Sequence, residues 1–190
     1  MFTQQFPIIL ASTSPRRKQI LTDAGFDFLV LSKNVEEVYP ENLQREQIPL
    51  YLAKIKAEPL MAQLKNELLV AADTIVWLNG KVLGKPADVD DAVNILSQLS
   101  GNTHEVITGV HLYKEGIQKS FFETTEVTFR TLSEIEIRKY IEIFKPMDKA
   151  GSYGIQDWIG LTVVKKINGC YYNVMGLPMP KLYGYIQNWV

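Results

Sequence analysis

Short apolar runs alternate with amphipathic stretches along the first half of the chain. The runs have the length and composition of buried strands, and they cover residues 6–11, 26–31 and 68–72. Between them, apolar positions recur at helical spacing, which predicts helices over 15–24 and 49–65, the second interrupted at Pro59. Ser14 and Gly25 are typical start and stop residues for the first helix.

Turn signals dominate the second half of the chain. Residue pairs ending in glycine between apolar strands are typical of β-hairpins, and they occur at Asn79-Gly80, Glu115-Gly116 and Asn168-Gly169. The last pair predicts a hairpin of residues 161–167 with 171–175. Helices are predicted over 88–99, from the capping box of Ser133 and Glu136 to Phe144, and after Pro178. Interleaved elements followed by hairpins indicate an α/β fold with a mixed sheet.

Composition narrows the class of protein. The chain has 190 residues and a net charge of −1, which does not favour general attraction to nucleic acid. Its one cysteine, Cys170, excludes an internal disulfide and favours a reducing compartment. The longest stretch without a charged residue, 1–15, is rich in polar residues, whereas a membrane span needs about 20 predominantly apolar residues. We expect a soluble cytoplasmic protein of one domain, residues 1–190.

A basic turn joins the first strand to the first helix, with the sequence Ala11-Ser12-Thr13-Ser14-Pro15-Arg16-Arg17. Backbone N–H groups at a helix N-terminus are unpaired and attract anions. Arginines at that end oppose the helix dipole, and a sequence that breaks a local rule often does so at a functional site. The turn is either a solvated basic surface or a phosphate site.

Asp73 follows the apolar run 68–72, where we expect the strand to end. Polar residues just beyond the strands of α/β proteins often carry function. The Asp73 carboxylate is suited to holding a metal ion or to accepting a proton from water. The alternative is an Asx turn that opens the following hairpin.

Three further charged residues carry weaker signals. Lys85 lies between Gly84 and Pro86 in a constrained turn, and Lys56 has apolar neighbours on its predicted helix. Each is suited to a phosphate oxygen, although a solvated lysine is the common alternative. Glu37, in a polar loop, is a candidate second metal carboxylate or a surface residue.

The last candidate segment runs from Asp148 to Gln156 and contains two glycines, which suggests close backbone approach. Gln156 carries a donor and an acceptor and can therefore pair with the N3–H and O4 edge of uracil or thymine. The alternative is a tight connection with a solvated glutamine. His104 and His111 lack partners at metal-ligand spacing and are expected to be structural or exposed.

Several segments occur in the order seen in one family and span nearly the whole chain. They are Leu10-Ala11-Ser12-Thr13-Ser14-Pro15-Arg16-Arg17, Ala72-Asp73-Thr74, Gly84-Lys85-Pro86, Leu99-Ser100-Gly101, Asp148-Lys149-Ala150-Gly151-Ser152-Tyr153-Gly154-Ile155-Gln156 and Gly176-Leu177-Pro178. The ordered set resembles the Maf family of nucleotide pyrophosphatases.

The resemblance implies two α/β lobes around a central cleft, with a fold related to the inosine triphosphate pyrophosphatases. It implies hydrolysis of a nucleoside triphosphate to monophosphate and pyrophosphate with Mg²⁺, Mn²⁺ or Co²⁺. Asp73 matches the catalytic carboxylate and, with Glu37, is the expected metal ligand. The expected phosphate-binding residues are Ser12, Ser14 at the helix N-terminus, Arg17, Lys56 and Lys85.

The family has branches that differ in the base they accept. Arg16, Thr74 and Gln156 match the dTTP and UTP branch, and the branch acting on 7-methyl-GTP looks different at these positions. Ala71 and the pair Asp157-Trp158 stand where the family more often has glycine, and the second departure bears on substrate preference. The resemblance also implies a homodimer.

Two other hypotheses remain at this stage. The chain is either a non-catalytic nucleotide-binding regulator of cell division, or a pyrophosphatase of modified purine nucleotides such as 7-methyl-GTP. Metal-dependent pyrophosphate release separates the first from an enzyme, and a nucleotide panel separates the second.

Overall fold

The apolar runs and turn signals fold into alternating strands and helices, in a computed structural model that describes residues 4–189. Over these residues the elements are β1 (Ile8–Leu10), α1 (Pro15–Asp23), β2 (Phe28–Val30), α2 (Gln47–Met61), β3 (Leu68–Leu78), β4 (Lys81–Leu83), α3 (Val89–Leu99), β5 (Thr103–Lys114), β6 (Ile117–Phe129), α4 (Glu134–Phe144), two 3₁₀ turns (Pro146–Asp148 and Ala150–Ser152), α5 (Trp158–Thr162), β7 (Val164–Asn168), α6 (Tyr171–Met175) and α7 (Met179–Gln187).

The strands form one seven-stranded sheet in the order β2-β1-β3-β5-β6-β7, with β4 paired to β3. β1 pairs in parallel with both β2 and β3. β4 is antiparallel to β3, and β7 is antiparallel to β6. The sheet is therefore mixed, and the predicted α/β class is confirmed.

The first of two compact units consists of the chain up to Asp73, Thr108–Glu123 and the chain from Gly176. Apolar side chains from β1 and the residue after it, from α2 and from β3 form a core in it, namely Ile9, Ala11, Ala57, Leu60, Leu69 and Ala71. Helix α2 approaches Gly109 of β5 so closely that a Cβ there would lie 2.4 Å from the carbonyl carbon of Pro49. This contact fixes the helix that carries Lys56.

The second unit consists of Thr74–Ile107 and Thr124–Met175. Its core lies between the apolar faces of α3 and α4 and the adjoining strands, and it includes Leu96, Leu99, Phe129, Ile137 and Tyr140. Asp88 caps α3 by accepting a hydrogen bond from the backbone of Asp91. The predicted capping box at the start of α4 is present.

The predicted hairpin at Asn79-Gly80 is confirmed, including the backbone conformation of its turn. Asn79 and Gly80 have φ angles of 51° and 82°, the left-handed conformations that a tight two-residue turn between antiparallel strands requires. Glu115 and Gly116 are also left-handed, with φ angles of 50° and 85°. Pro146 ends α4 as predicted, and α7 follows Pro178.

Three expectations about individual elements are wrong. β3 does not end at Asp73 but runs on to Leu78, because its second half pairs with β4. Helix α2 ends at Met61 rather than near Lys65, and Pro59 lies within its last turn instead of interrupting it.

The predicted third hairpin is also wrong. Residues 164–168 form β7, which pairs with β6, and residues 171–175 form helix α6 rather than a strand. Thr125 of β6 accepts a hydrogen bond from Cys170 N–H and donates one to the Cys170 carbonyl, at 3.0 and 3.1 Å. These two bonds hold the chain after Gly169 close to β6, where it turns into α6.

No helix within residues 4–189 is long and apolar enough to cross a membrane.

Candidate functional site

Asp73 lies within β3 in the first unit and is 6% exposed. A buried carboxylate needs a compensating charge, and Lys56 of α2 supplies it, with its Nζ 2.5 Å from Asp73 Oδ1. The same ammonium lies 3.0 Å from Glu37 Oε1. Helix α2 thus places one cation between two carboxylates from distant parts of the chain.

Arg17, in the first turn of α1, has its guanidinium held by fixed acceptors. Its Nε donates to the Gly176 carbonyl at 2.8 Å, and its Nη1 donates to Ser12 Oγ at 3.2 Å. Ser12 is buried and also accepts from the backbone N–H of Ser14 at 3.2 Å. The turn between β1 and α1 therefore orients Arg17 through Ser12.

The charges of these residues interact. Burial lowers the pKa of the Arg17 guanidinium from its usual value, while the carboxylates of Asp73 and Glu37 oppose that shift and Arg16 adds to it. Arg17 remains charged, since arginine does not deprotonate in proteins. We call Ser12, Arg17, Glu37, Lys56 and Asp73 the Asp73 cluster.

Ser14 occupies the N-cap position of α1 and Pro15 the first helical position. Within residues 4–189, the Ser14 side chain makes no capping hydrogen bond to the helix backbone. Its position leaves the start of α1 beside Ser12 and Arg17 of the Asp73 cluster. An anion here would meet N–H groups and a guanidinium together.

The cluster fits a hard divalent cation in its donor chemistry. Within the described part of the chain, no three His, Cys, Asp or Glu side chains group as metal ligands. Mg²⁺, however, is commonly bound by one or two carboxylates together with substrate phosphates and water. Asp73 and Glu37 are such a pair, and both already converge on one positive charge, that of Lys56.

Of the remaining predicted site residues, Arg16 lies next to Arg17 in α1 of the first unit, and Thr74, Lys85 and Gln156 belong to the second unit. Thr74 directly follows Asp73 in β3. The Gly84 carbonyl accepts from Gly151 N–H at 3.0 Å, which ties the turn carrying Lys85 to the segment that precedes Gln156. Lys85 and Gln156 are both exposed.

The two histidines are structural, as expected. His104 is buried, with Nε2 2.8 Å from the Tyr153 hydroxyl, and its ring packs edge-on against Phe129. Burial lowers the pKa of His104 to about 3, which keeps it neutral. His111 is also buried and its Nδ1 pairs with the Ser120 hydroxyl at 2.7 Å.

Sequence reasoning missed two features of these segments. The Gly176 carbonyl that holds Arg17 is a backbone group, and only the Gly176-Leu177-Pro178 motif pointed to it. Tyr140 looked like an ordinary apolar-face residue of α4, yet its hydroxyl bonds to the segment that carries Gln156. No pattern in the sequence signals that hydrogen bond.

Comparison with known proteins places these observations in a family. Residues 7–189 match the family model of Maf-like proteins. A Cytophaga hutchinsonii protein named dTTP/UTP pyrophosphatase is 55% identical over 92% of this chain and 80% of its own length. Proteins of the same name from Phocaeicola vulgatus and Bacteroides fragilis are 53% and 50% identical, over 95% and 94% of this chain and 94% of each relative.

Among solved structures, the Staphylococcus aureus Ham1 protein matches 65% of this chain and 71% of its own, with 16% identity and a TM-score of 0.42. That likeness is too remote to bear on activity.

Proposed function

The chain belongs to the Maf family, and from this premise we propose that it hydrolyses dTTP and UTP to the nucleoside monophosphate and pyrophosphate. The observation that carries the proposal is the Asp73 cluster, in which a buried carboxylate lies beside a lysine and an arginine whose side chains are held in place. The names of the relatives at 50–55% identity supply the substrate class.

The first part of the proposal concerns phosphate binding. Arg17 and Lys56 bind phosphate oxygens, assisted by Ser12 and by the N–H groups at Ser14. Lys85 is assigned the same role by its match to the family motif. Phosphoryl-type transfer depends mostly on positioning and charge neutralisation, and the double anchoring of Arg17 by Ser12 and Gly176 supports the positioning part.

Asp73 is proposed as the residue that orients the attacking water and accepts its proton. A general base must be held within hydrogen-bond reach of its substrate, and strand β3, which pairs with β1 before Asp73 and with β4 after it, supports the carboxylate on both sides. Lys56 compensates the charges of Asp73 and Glu37, and a bound phosphate would offer its ammonium a further anionic partner.

Asp73 and Glu37 are proposed to hold a divalent cation, Mg²⁺, Mn²⁺ or Co²⁺. When bound, such an ion neutralises phosphate charge and orients the phosphate to be attacked. The oxygen donors of the pair admit all three metals.

Recognition of the base is assigned to Gln156, Thr74 and Arg16 by their match to the dTTP and UTP branch of the family. The amide of Gln156 matches the donor and acceptor edge of uracil and thymine. Its exposure supports this role, because an exposed amide is available to a ligand. A homodimer is the expected assembly, and light scattering in solution tests it.

The test of the reaction is pyrophosphate release from a panel of nucleoside triphosphates, with and without each metal. We expect release from UTP and dTTP with metal, and turnover about 10² to 10⁴-fold lower for Asp73→Asn because the proton acceptor is lost. Asp27→Asn, which changes an exposed aspartate of the same unit, is the matched control and should retain activity.

Near-wild-type release from Asp73→Asn would remove Asp73 from the mechanism. Equal turnover of ATP and GTP would overturn the pyrimidine assignment. Nucleotide binding without any pyrophosphate release would favour the non-catalytic regulator instead.

A further inference from the structure

One ammonium lies between the two carboxylates of the Asp73 cluster. Lys56 Nζ is 2.5 Å from Asp73 Oδ1 and 3.0 Å from Glu37 Oε1. Asp73 and Glu37 are also the residues proposed to hold the divalent cation. The ammonium and the metal ion would therefore use the same pair of carboxylates.

The contact between Lys56 and Asp73 is largely enclosed. The side chain of Lys56 is 15% exposed and that of Asp73 is 9% exposed. Charges that are shielded from water interact more strongly than charges on the surface. Lys54 of the same helix differs in this respect, because its Nζ lies 3.9 Å from Glu58 Oε1 and both side chains are about half exposed. Of these two lysines, Lys56 is therefore the one whose charge acts strongly on a nearby ion.

The formal charges of the Asp73 cluster cancel. Asp73 and Glu37 carry two negative charges, and Lys56 and Arg17 carry two positive charges. Burial lowers the pKa of the Arg17 guanidinium, and both carboxylates oppose that shift, so Arg17 belongs to the same electrostatic group. A divalent cation would add positive charge to a neutral set that already contains two cations. Like charges a few ångströms apart disfavour one another, so the protein by itself is expected to bind the ion weakly.

A polyphosphate would change this balance, because it brings several negative charges. The ammonium of Lys56 is a point charge on a flexible stem with rotatable donors, and it can turn from a carboxylate to a phosphate oxygen. Mg²⁺ is commonly bound by one or two carboxylates together with substrate phosphates. The polyphosphate would thus both engage the competing ammonium and supply the missing oxygen ligands.

We propose that Lys56 sets the order of binding at the Asp73 cluster: its ammonium competes with the divalent cation for Asp73 and Glu37, so that the chain takes up the ion well only together with the polyphosphate. The inference rests on the proposed function and adds a second role to Lys56 besides contact with phosphate. Lys56 weakens the binding of one ligand and strengthens the binding of the other.

The first test titrates the full chain with Mn²⁺ alone, without nucleotide. Free Mn²⁺ is followed by electron paramagnetic resonance, since its signal is lost on binding. Lys56→Gln removes the charge and keeps a hydrogen-bond donor, and we expect its Kd for Mn²⁺ to be about tenfold lower than that of the wild type. Lys56→Arg keeps the charge and should bind Mn²⁺ as weakly as the wild type.

The second test titrates the same variants with α,β-imido-UTP in the presence of EDTA. In this analogue nitrogen replaces the oxygen between the α- and β-phosphorus atoms, so the proposed reaction cannot cleave it. Lys56→Gln should bind the analogue about tenfold more weakly than the wild type, because the phosphate loses a cationic partner. Tighter binding of Mn²⁺ and weaker binding of the analogue in one variant indicate competition, whereas damage to the fold would weaken both.

Lys54→Gln on the same helix is the matched control and should leave both affinities unchanged. Adding Asp73→Asn to Lys56→Gln should remove the tighter binding of Mn²⁺, which distinguishes the cluster from adventitious binding at the surface. The denaturation midpoint of each variant is measured with and without Mn²⁺, because a ligand that binds the folded state raises the midpoint. If Lys56→Gln needs Mn²⁺ in order to fold, this dependence gives its affinity.

A wild-type Kd for Mn²⁺ in Lys56→Gln would overturn the inference, as would tight binding by Lys56→Arg or tight binding that survives Asp73→Asn. Undiminished binding of the analogue by Lys56→Gln, or a Lys56→Gln chain that stays unfolded with saturating Mn²⁺, would also overturn it. These outcomes leave the proposed function standing, because the wild type would still release pyrophosphate from UTP. Absence of hydrolysis in the wild type would instead overturn the proposed function, and the inference with it.

Discussion

The ammonium of Lys56 connects two carboxylates that the sequence separates by 36 positions, Glu37 and Asp73. A buried charge without a partner costs several kcal/mol, so the pairing explains how Asp73 can remain buried in a strand whose five preceding residues are apolar. It also explains why Lys56 lies on an otherwise apolar face of α2. At the scale of residues, the charged groups proposed for catalysis are arranged to compensate one another.

His104 makes the stability of the protein depend on pH. Its folded-state pKa of about 3 lies below the usual value of 6.5, because burial disfavours the charged ring. As the pH falls, the unfolded chain therefore binds the proton first. The contribution of neutral His104 to stability is fully present above pH 6.5 and is lost progressively as the pH falls toward 3.

We predict that His104→Gln, which cannot titrate, loses less stability than the wild type between pH 7 and pH 5. The difference should be about 2 kcal/mol, from about 1.4 kcal/mol per pH unit below the unfolded-state pKa. Urea unfolding at both pH values measures it. Other titrating groups, including His111, are present in both proteins and cancel in the comparison, so equal pH slopes would contradict the prediction.

The close packing of helix α2 against strand β5 depends on one glycine of that strand. Gly109 of β5 has no room for a side chain, since an added Cβ would lie 2.4 to 2.5 Å from backbone atoms of Pro49 and Leu50. Backbone atoms cannot move aside as the end of a flexible side chain can. At the scale of elements, a substitution at Gly109 therefore displaces the helix that carries Lys56.

We predict that Gly109→Ala destabilises the protein by about 2 kcal/mol or more and lowers turnover, because Lys56 moves relative to Asp73. Gly184→Ala is the matched control. Gly184 lies in α7, and an added Cβ there meets nothing within 4 Å, so alanine should be neutral or stabilising by up to about 1 kcal/mol. Denaturation midpoints and pyrophosphate release measure both effects, and a Gly109→Ala protein as stable and active as the control would refute the prediction.

Two similar dipeptides show what the sequence could predict about elements. Asn79-Gly80 joins two strands that pair with each other, so the local signal and the tertiary structure agree. At Asn168-Gly169 the strand β7 pairs with β6 instead, and Asn168 Nδ2 donates to Glu126 Oε2 at 3.0 Å. A local pattern cannot reveal that β7 will pair with β6, which is distant in sequence, rather than with the residues directly after the turn.

The candidate site was also predicted only in part from the sequence. Ser12, Arg17, Glu37, Lys56 and Asp73 were predicted from the sequence, and the structure brings them together in the first unit. The anchoring groups were not predicted, because a carbonyl oxygen at Gly176 and a hydroxyl at Tyr140 act through tertiary contacts. The sequence motifs therefore identified the charged members of the cluster better than the groups that hold them in place.

At the scale of the whole molecule, neither compact unit is a continuous stretch of chain. The first is built from three segments and the second from two. Strands β3, β5 and β6 each begin in one unit and end in the other, with boundaries at Asp73, Ile107 and Glu123. No single cut of the chain yields either unit intact, so neither can be made as an ordinary fragment.

We predict one cooperative unfolding transition for the whole chain, because unfolding either unit disrupts strands that the other unit also uses. Far-UV circular dichroism follows both units. In a Trp189→Phe protein, fluorescence follows only Trp77 and Trp158, which belong to the second unit. The two curves should share one midpoint in urea. Separate midpoints, or a fluorescence change completed before the loss of helical signal, would mean that the units unfold independently and that the chain is two domains.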